Sequence, residues 1–161
     1  MIKKGQFQLS FSMIFSILVI VAILAVSFYV IRFFLSLDAC GDIGFYYRGL
    51  DDEIEKAWKS QIYSGEYEGS LPSGIEKVCF GNLNYDSAGY SEEMTYLHSY
   101  ADENKNVFLY PGAVGCDIQL AEYTIEHVEI EGFWCADVSK GKVSVKLLKE
   151  SGDALVKLSS S

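Results

Sequence analysis

The sequence predicts an α+β domain carried behind one membrane-spanning helix. Three observations lead there: an uninterrupted apolar run near the start, helical periodicity in the middle, and short strands joined by turn signals at the end. The chain has 161 residues, enough for one domain and an anchor. Charge splits it in the same place. Lys3, Lys4 and Arg32 are the only ionised side chains up to Leu37, and every acidic residue lies at or after Asp38. Of the formal net charge of −9, the first 37 residues therefore carry +3 and the remainder −12. A domain of that sign repels phosphate backbones, so nucleic acid is excluded as a partner.

From Met13 to Ile31 no residue is charged. At helical rise this run spans roughly 28 Å, close to the hydrocarbon thickness of a bilayer. In lipid the backbone has no hydrogen-bonding alternative to helix, so Val, Ile and Phe form one there whatever their preference in water. Arg32 sits at the end of the run, where it can snorkel to the interface. Lys3 and Lys4 flank the other end, which directs the N-terminus to the cytoplasm and the acidic part outside. Ser12 and Ser16, four apart, and Ala22 and Ala25, three apart, offer low-profile positions for close helix packing. Phe7, Phe11 and Phe15 recur every fourth residue.

Met-Ile-Lys-Lys-Gly-Gln followed at once by that helix resembles the class III signal peptides of archaeal type IV pilin-like proteins. The resemblance covers about residues 1–37. It implies a leader at 1–5, cut between Gly5 and Gln6 by a prepilin-type peptidase that reads Lys3 and Lys4. It also implies an anchor and assembly helix at 6–37, an extracytoplasmic domain at 38–161, and partners among membrane lipid, copies of itself or other pilin-like subunits. Ser10 occupies the fifth position of the mature chain, where many pilins carry Glu. The alternative is an unprocessed, membrane-tethered binding module for envelope proteins or glycans.

Beyond the anchor, Phe33, Phe34, Leu35 and Leu37 prolong the apolar character; in a pilin this half of the helix packs against the head. Asp51 to Tyr63 reads as an amphipathic helix with Ile54, Ala57, Trp58, Gln61 and Ile62 on one face. Gly65 to Gly74 reads as a turn-rich connection and Ile75 to Phe80 as a strand. Ser91 to Ala101 fits a second helix with Met94, Leu97 and Ala101 inward. Val107 to Tyr110 is an apolar strand stopped by Pro111. Tyr123 and Ile125 alternate with polar residues until the phase slips at His127, the mark of a bulge or break. Phe133–Val138, Val143–Leu148 and Ala154–Leu158 are joined by Ser139-Lys140-Gly141 and Ser151-Gly152-Asp153, which predicts an antiparallel meander. In its middle strand Val143, Val145 and Leu147 face the core.

Cys40, Cys79, Cys116 and Cys135 form an even set without a Cys-x-x-Cys pair, which points to two disulfides outside the cytoplasm. Three pairings are open, and local closure favours Cys40–Cys79 with Cys116–Cys135. No catalytic motif, metal set or cofactor-binding loop is evident. His98 and His127 read as surface or sheet residues. Glu126, Glu129 and Glu131 around His127 read as the wet face of a strand before they read as a calcium site.

Overall fold

The computed structural model describes residues 11–84, 89–102, 104–112 and 118–160, without the side chains of residues 11–12 and 35–39. Lys3, Lys4, Gly5, Gln6 and Cys116 lie outside the described residues, as does the side chain of Ser12. The chain divides into two units, Met1–Ser36 and Leu37–Ser161. Helix α1, Phe11–Lys59, runs through that division.

The second unit is a mixed helix-and-sheet head. Its strands, in chain order, are β1 (Tyr63–Ser70), β2 (Lys77–Gly81), β3 (Val107–Tyr110), β4 (Glu122–Tyr123), β5 (Val128–Ile130), β6 (Phe133–Asp137), β7 (Lys142–Lys149) and β8 (Val156–Ser160). A short helix α2, Ser91–Leu97, lies between β2 and β3, and a 3-10 turn, Ile118–Leu120, precedes β4. The strands form two four-stranded sheets, in the orders β1-β7-β8-β5 and β4-β3-β2-β6. All ladders are antiparallel except β5 with β8.

The final part of α1 supplies Ile43, Tyr46, Tyr47, Leu50, Ile54 and Ala57 to the main core. Their spacing of three and four puts them on one helical face, a stripe wide enough to meet both sheets. Val143, Val145 and Leu147 of β7 and Val156 and Leu158 of β8 pack there from the first sheet. Val78, Phe80, Val107 and Leu109 come from the second. The intervening residues of that second sheet, Cys79, Phe108, Phe133 and Cys135, point the other way into a smaller core closed by Leu97 of α2 and Leu83. A sheet covered on both faces needs apolar residues at every position, which is why β2 and β3 read as continuous apolar runs.

Several elements match their sequence expectation. β3 occupies the run expected of it, and β7 buries Val143, Val145 and Leu147 while Lys142 and Lys146 are exposed. Leu97 is buried in the small core with Met94 and Ala101 packed against it. The phase slip falls where His127 takes a left-handed φ of 62° between β4 and β5.

Other expectations are overturned. The segment Asp51–Tyr63 is no separate helix: it is the last part of α1, which ends at Lys59, and Trp58 and Ile62 are exposed. The turn-rich reading of Gly65–Gly74 gives way to β1, which pairs with β7 over all eight residues. Its glycines make room for aromatic rings. A Cβ on Gly69 would stand 2.4 Å from the Tyr46 ring of α1. The simple meander also fails. Ser139 and Lys142 do bridge across a two-residue turn, with Lys140 and Gly141 at φ 53° and 75°. β6, however, pairs with β2 while β7 pairs with β1 and β8, so the turn carries the chain from one sheet to the other. Trp134 and Ala136 join the main core while Phe133 and Cys135 join the small one. A strand wanted on both faces belongs in the doubly covered sheet.

Candidate functional site

In the first unit, Met13–Phe34 is a helical segment long and apolar enough to cross a membrane, and none of it is buried within the chain. Ser27 donates its hydroxyl to the Ile23 carbonyl at 2.8 Å, which satisfies a polar group that lipid would not. The Arg32 guanidinium lies 5.2 Å from the centre of the Phe28 ring, back along the helix. Ser16, Ala22 and Ala25 are exposed on this helix. Six residues separate Ser16 from Ala22, about 120° around the axis. The serine pair and the alanine pair therefore mark two different faces, each a place where a neighbouring helix can approach.

In the second unit, tyrosine hydroxyls tie α1 to the sheets and to the 3-10 turn. Tyr67 of β1 donates to the Tyr46 carbonyl at 2.9 Å, and Tyr47 donates to the Leu120 carbonyl at 3.0 Å. Tyr123 of β4 donates to Asp51 Oδ2 at 2.5 Å, and its ring stacks on Tyr47 with centroids 4.4 Å apart. Burial pushes the Tyr46 and Tyr47 hydroxyls well above the usual phenol value, so both stay neutral. Sequence reasoning missed this tyrosine set. Its signal was present, because Ile43, Tyr46, Tyr47 and Leu50 extend backward the helical spacing seen at Ile54 and Ala57.

Beside Tyr123 lies an open cleft of about 370 Å³ lined by Asp51, Ile54, Glu55, Tyr123, Thr124, Glu126 and His127. Burial raises the Asp51 carboxyl, opposed by the Tyr123 hydrogen bond and reinforced by Asp52, Glu126 and Glu55 nearby. The Tyr123 hydroxyl is pushed up to about 12, first by its bond to Asp51. His127 stacks on Trp58 at 3.8 Å with the rings nearly parallel. Its left-handed backbone turns the ring onto α1, so it packs as an aromatic plate. Glu129 and Glu131 are exposed beyond the cleft. Among the described residues no group of three or more His, Cys, Asp or Glu is arranged to hold a metal ion. His98 stands at the C-terminal end of α2, where its backbone N–H bonds the Met94 carbonyl.

Cys79 is bonded to Cys135, its direct partner in the β2–β6 ladder. This overturns the expected local pairings of Cys40 with Cys79 and of Cys116 with Cys135. Closeness in sequence lost to sheet register, which brings residues 56 apart into one cross-strand pair. Cys40 is also disulfide-bonded.

Compared with protein-family models, with curated proteins and with solved structures, the chain matches none.

Proposed function

We propose that this chain is a pilin-like structural protein of the cell surface, anchored by its N-terminal helix and assembled through that helix into a type IV-like filament. The observation that carries this reading is the double use of α1. Its residues 13–34 are apolar and exposed, while Ile43, Tyr46, Tyr47, Leu50, Ile54 and Ala57 of the same helix line the core of the head. A simple tether needs only a linker between anchor and domain. A helix that serves as both gives a subunit one continuous element that carries the anchor and enters the core. The exposed Ser16, Ala22 and Ala25, with Ser12, supply close-approach positions.

In this reading the N-terminus enters from the cytoplasm, a prepilin-type peptidase cuts at Gly5–Gln6, and the acidic head stands outside. No catalytic role or cofactor is part of it. Protease added to intact cells removes the head if the orientation is right. The decisive test of processing is mass spectrometry of the mature chain. A first residue of Gln6 supports the proposal; an intact Met1, or loss of the initiator methionine alone, contradicts it.

The cleft beside Tyr123 favours a second reading, a tethered binding module. Its carboxylates and aromatic rings can take hydroxyl-rich or cationic groups. Retention of the membrane-held chain by an envelope fraction, lost in Asp51→Ala with Glu126→Ala, would support that alternative.

A further inference from the structure

The outward ridge of α1 in the head carries Gly41, Phe45, Arg48 and Asp52, at spacings that keep them on one helical face opposite the core. All four are exposed, Phe45 at 69%. Glycine in a helix interior is unfavourable, yet a Cβ on Gly41 or on the neighbouring Gly44 would meet nothing within 4 Å. Nothing within the head requires either residue to lack a side chain. Arg48 and Asp52 make no ion pair among the described residues.

We propose that this ridge is a contact between copies of the chain, packed in the same direction with an axial offset of four residues. The inference rests on the structural-subunit reading and adds its register. Gly41 to Phe45 is four residues, and Arg48 to Asp52 is also four. One shift of about 6 Å along the axis therefore does two things at once. It seats Phe45 of one copy over Gly41 of the next, beside Gly44, and it sets Asp52 of the first opposite Arg48 of the second. An antiparallel register that joins Arg48 to Asp52 puts Phe45 opposite Glu55 instead. The offset contact is heterologous: one copy contributes Phe45 and Asp52, the other Gly41, Gly44 and Arg48. The occupant of the ridge is accordingly a second copy of this chain, selected by aromatic-on-glycine fit and by opposite charge.

The test uses the full-length chain in its host membrane, with p-benzoylphenylalanine in place of Phe45 and irradiation of intact cells. The expected result is a dimer-sized product whose cross-linked peptide lies at residues 41–44 of the second copy. Arg48→Asp or Asp52→Arg alone should reduce the product at least tenfold, and the two together should restore it. Gly41→Leu should abolish the product while leaving the thermal midpoint of the purified chain unchanged or higher. Cross-links confined to other proteins, or a homotypic product that neither charge reversal alters, would overturn the proposal. Sheared filaments that contain the chain without this product would overturn the packing and leave the subunit reading standing. The product in membranes whose sheared fraction lacks the chain would support the packing and refute the filament.

Discussion

The ammonium of Lys149, on β7, donates to the main-chain carbonyl of Trp58 in the last turn of α1. Both faces of this relationship matter. The carbonyls at a helix C-terminus have no partner within the helix, and a cation there meets the negative end of the helix dipole. Lys149 takes an inward position of β7 that the alternation would otherwise give to an apolar residue, and it is 8% exposed. It ties the end of the long helix to the first sheet.

Lys149→Met keeps most of the stem and removes the donor, leaving the Trp58 carbonyl unpaired. The head should lose about 1–3 kcal/mol, the range for leaving a buried hydrogen-bonding group unsatisfied. The urea midpoint of the purified chain checks this. An unchanged midpoint would mean that water satisfies the carbonyl equally well.

The disulfide between Cys79 and Cys135 joins β2 to β6 in the sheet that α2 covers. Since those two are used by each other and Cys40 is also bonded, peptide mapping without reductant should find Cys40 linked to Cys116. Cys135→Ser should destabilise the head by about 2–4 kcal/mol. A peptide linking Cys40 to Cys79 would contradict the register of the second sheet.

The ion pair between Lys77 of β2 and Glu93 of α2, at 2.5 Å, predicts a pH dependence. The lysine hydrogen bond holds the Glu93 carboxyl below its usual value, and Glu93 in turn raises Lys77. A depressed acid stabilises the fold fully above its unfolded value of about 4.3 and loses that contribution as pH falls through the folded value. A raised lysine loses its share only as pH rises through its folded value, above the usual lysine range. Glu93→Gln should therefore be less stable than the parent at pH 7, with the difference closing at an acid pH below the folded value of Glu93. Denaturant midpoints at the two pH values check it; an equal gap at both would assign the effect to packing.

Much of this architecture was readable from the chain, and the failures have identifiable causes. The apolar helix needed only its length and lack of charge. β7 was legible because one face is core and the other water, so its alternation is clean. The continuity of α1 was hidden by Gly41, Gly44 and the acids around them, residues that lower helix propensity. The spacing from Ile43 to Ala57 outlasted them because tertiary burial decides what propensity leaves marginal. β1 was hidden for a related reason. Gly65 and Gly69 look like turn residues, and only the positions of the Tyr63 and Tyr46 rings explain their use in a strand. The exchange of sheets at Ser139–Lys142 left no local trace, because the same two-residue turn serves a hairpin and a corner equally well. The disulfide followed from that pairing and was equally out of reach.

The central claim, that the exposed apolar helix serves assembly as well as anchoring, meets its most direct test in material sheared from the cell surface. The measurement is the amount of this chain in purified filaments, by immunogold labelling and mass spectrometry, for wild type and for Ser12→Leu with Ser16→Leu. Leucine keeps the helix apolar, so membrane insertion should be unchanged, while the bulk blocks close approach at that face. The account predicts wild-type chain along the filaments and the double variant confined to the membrane fraction. Filaments devoid of the wild-type chain, or equally rich in the variant, would contradict it.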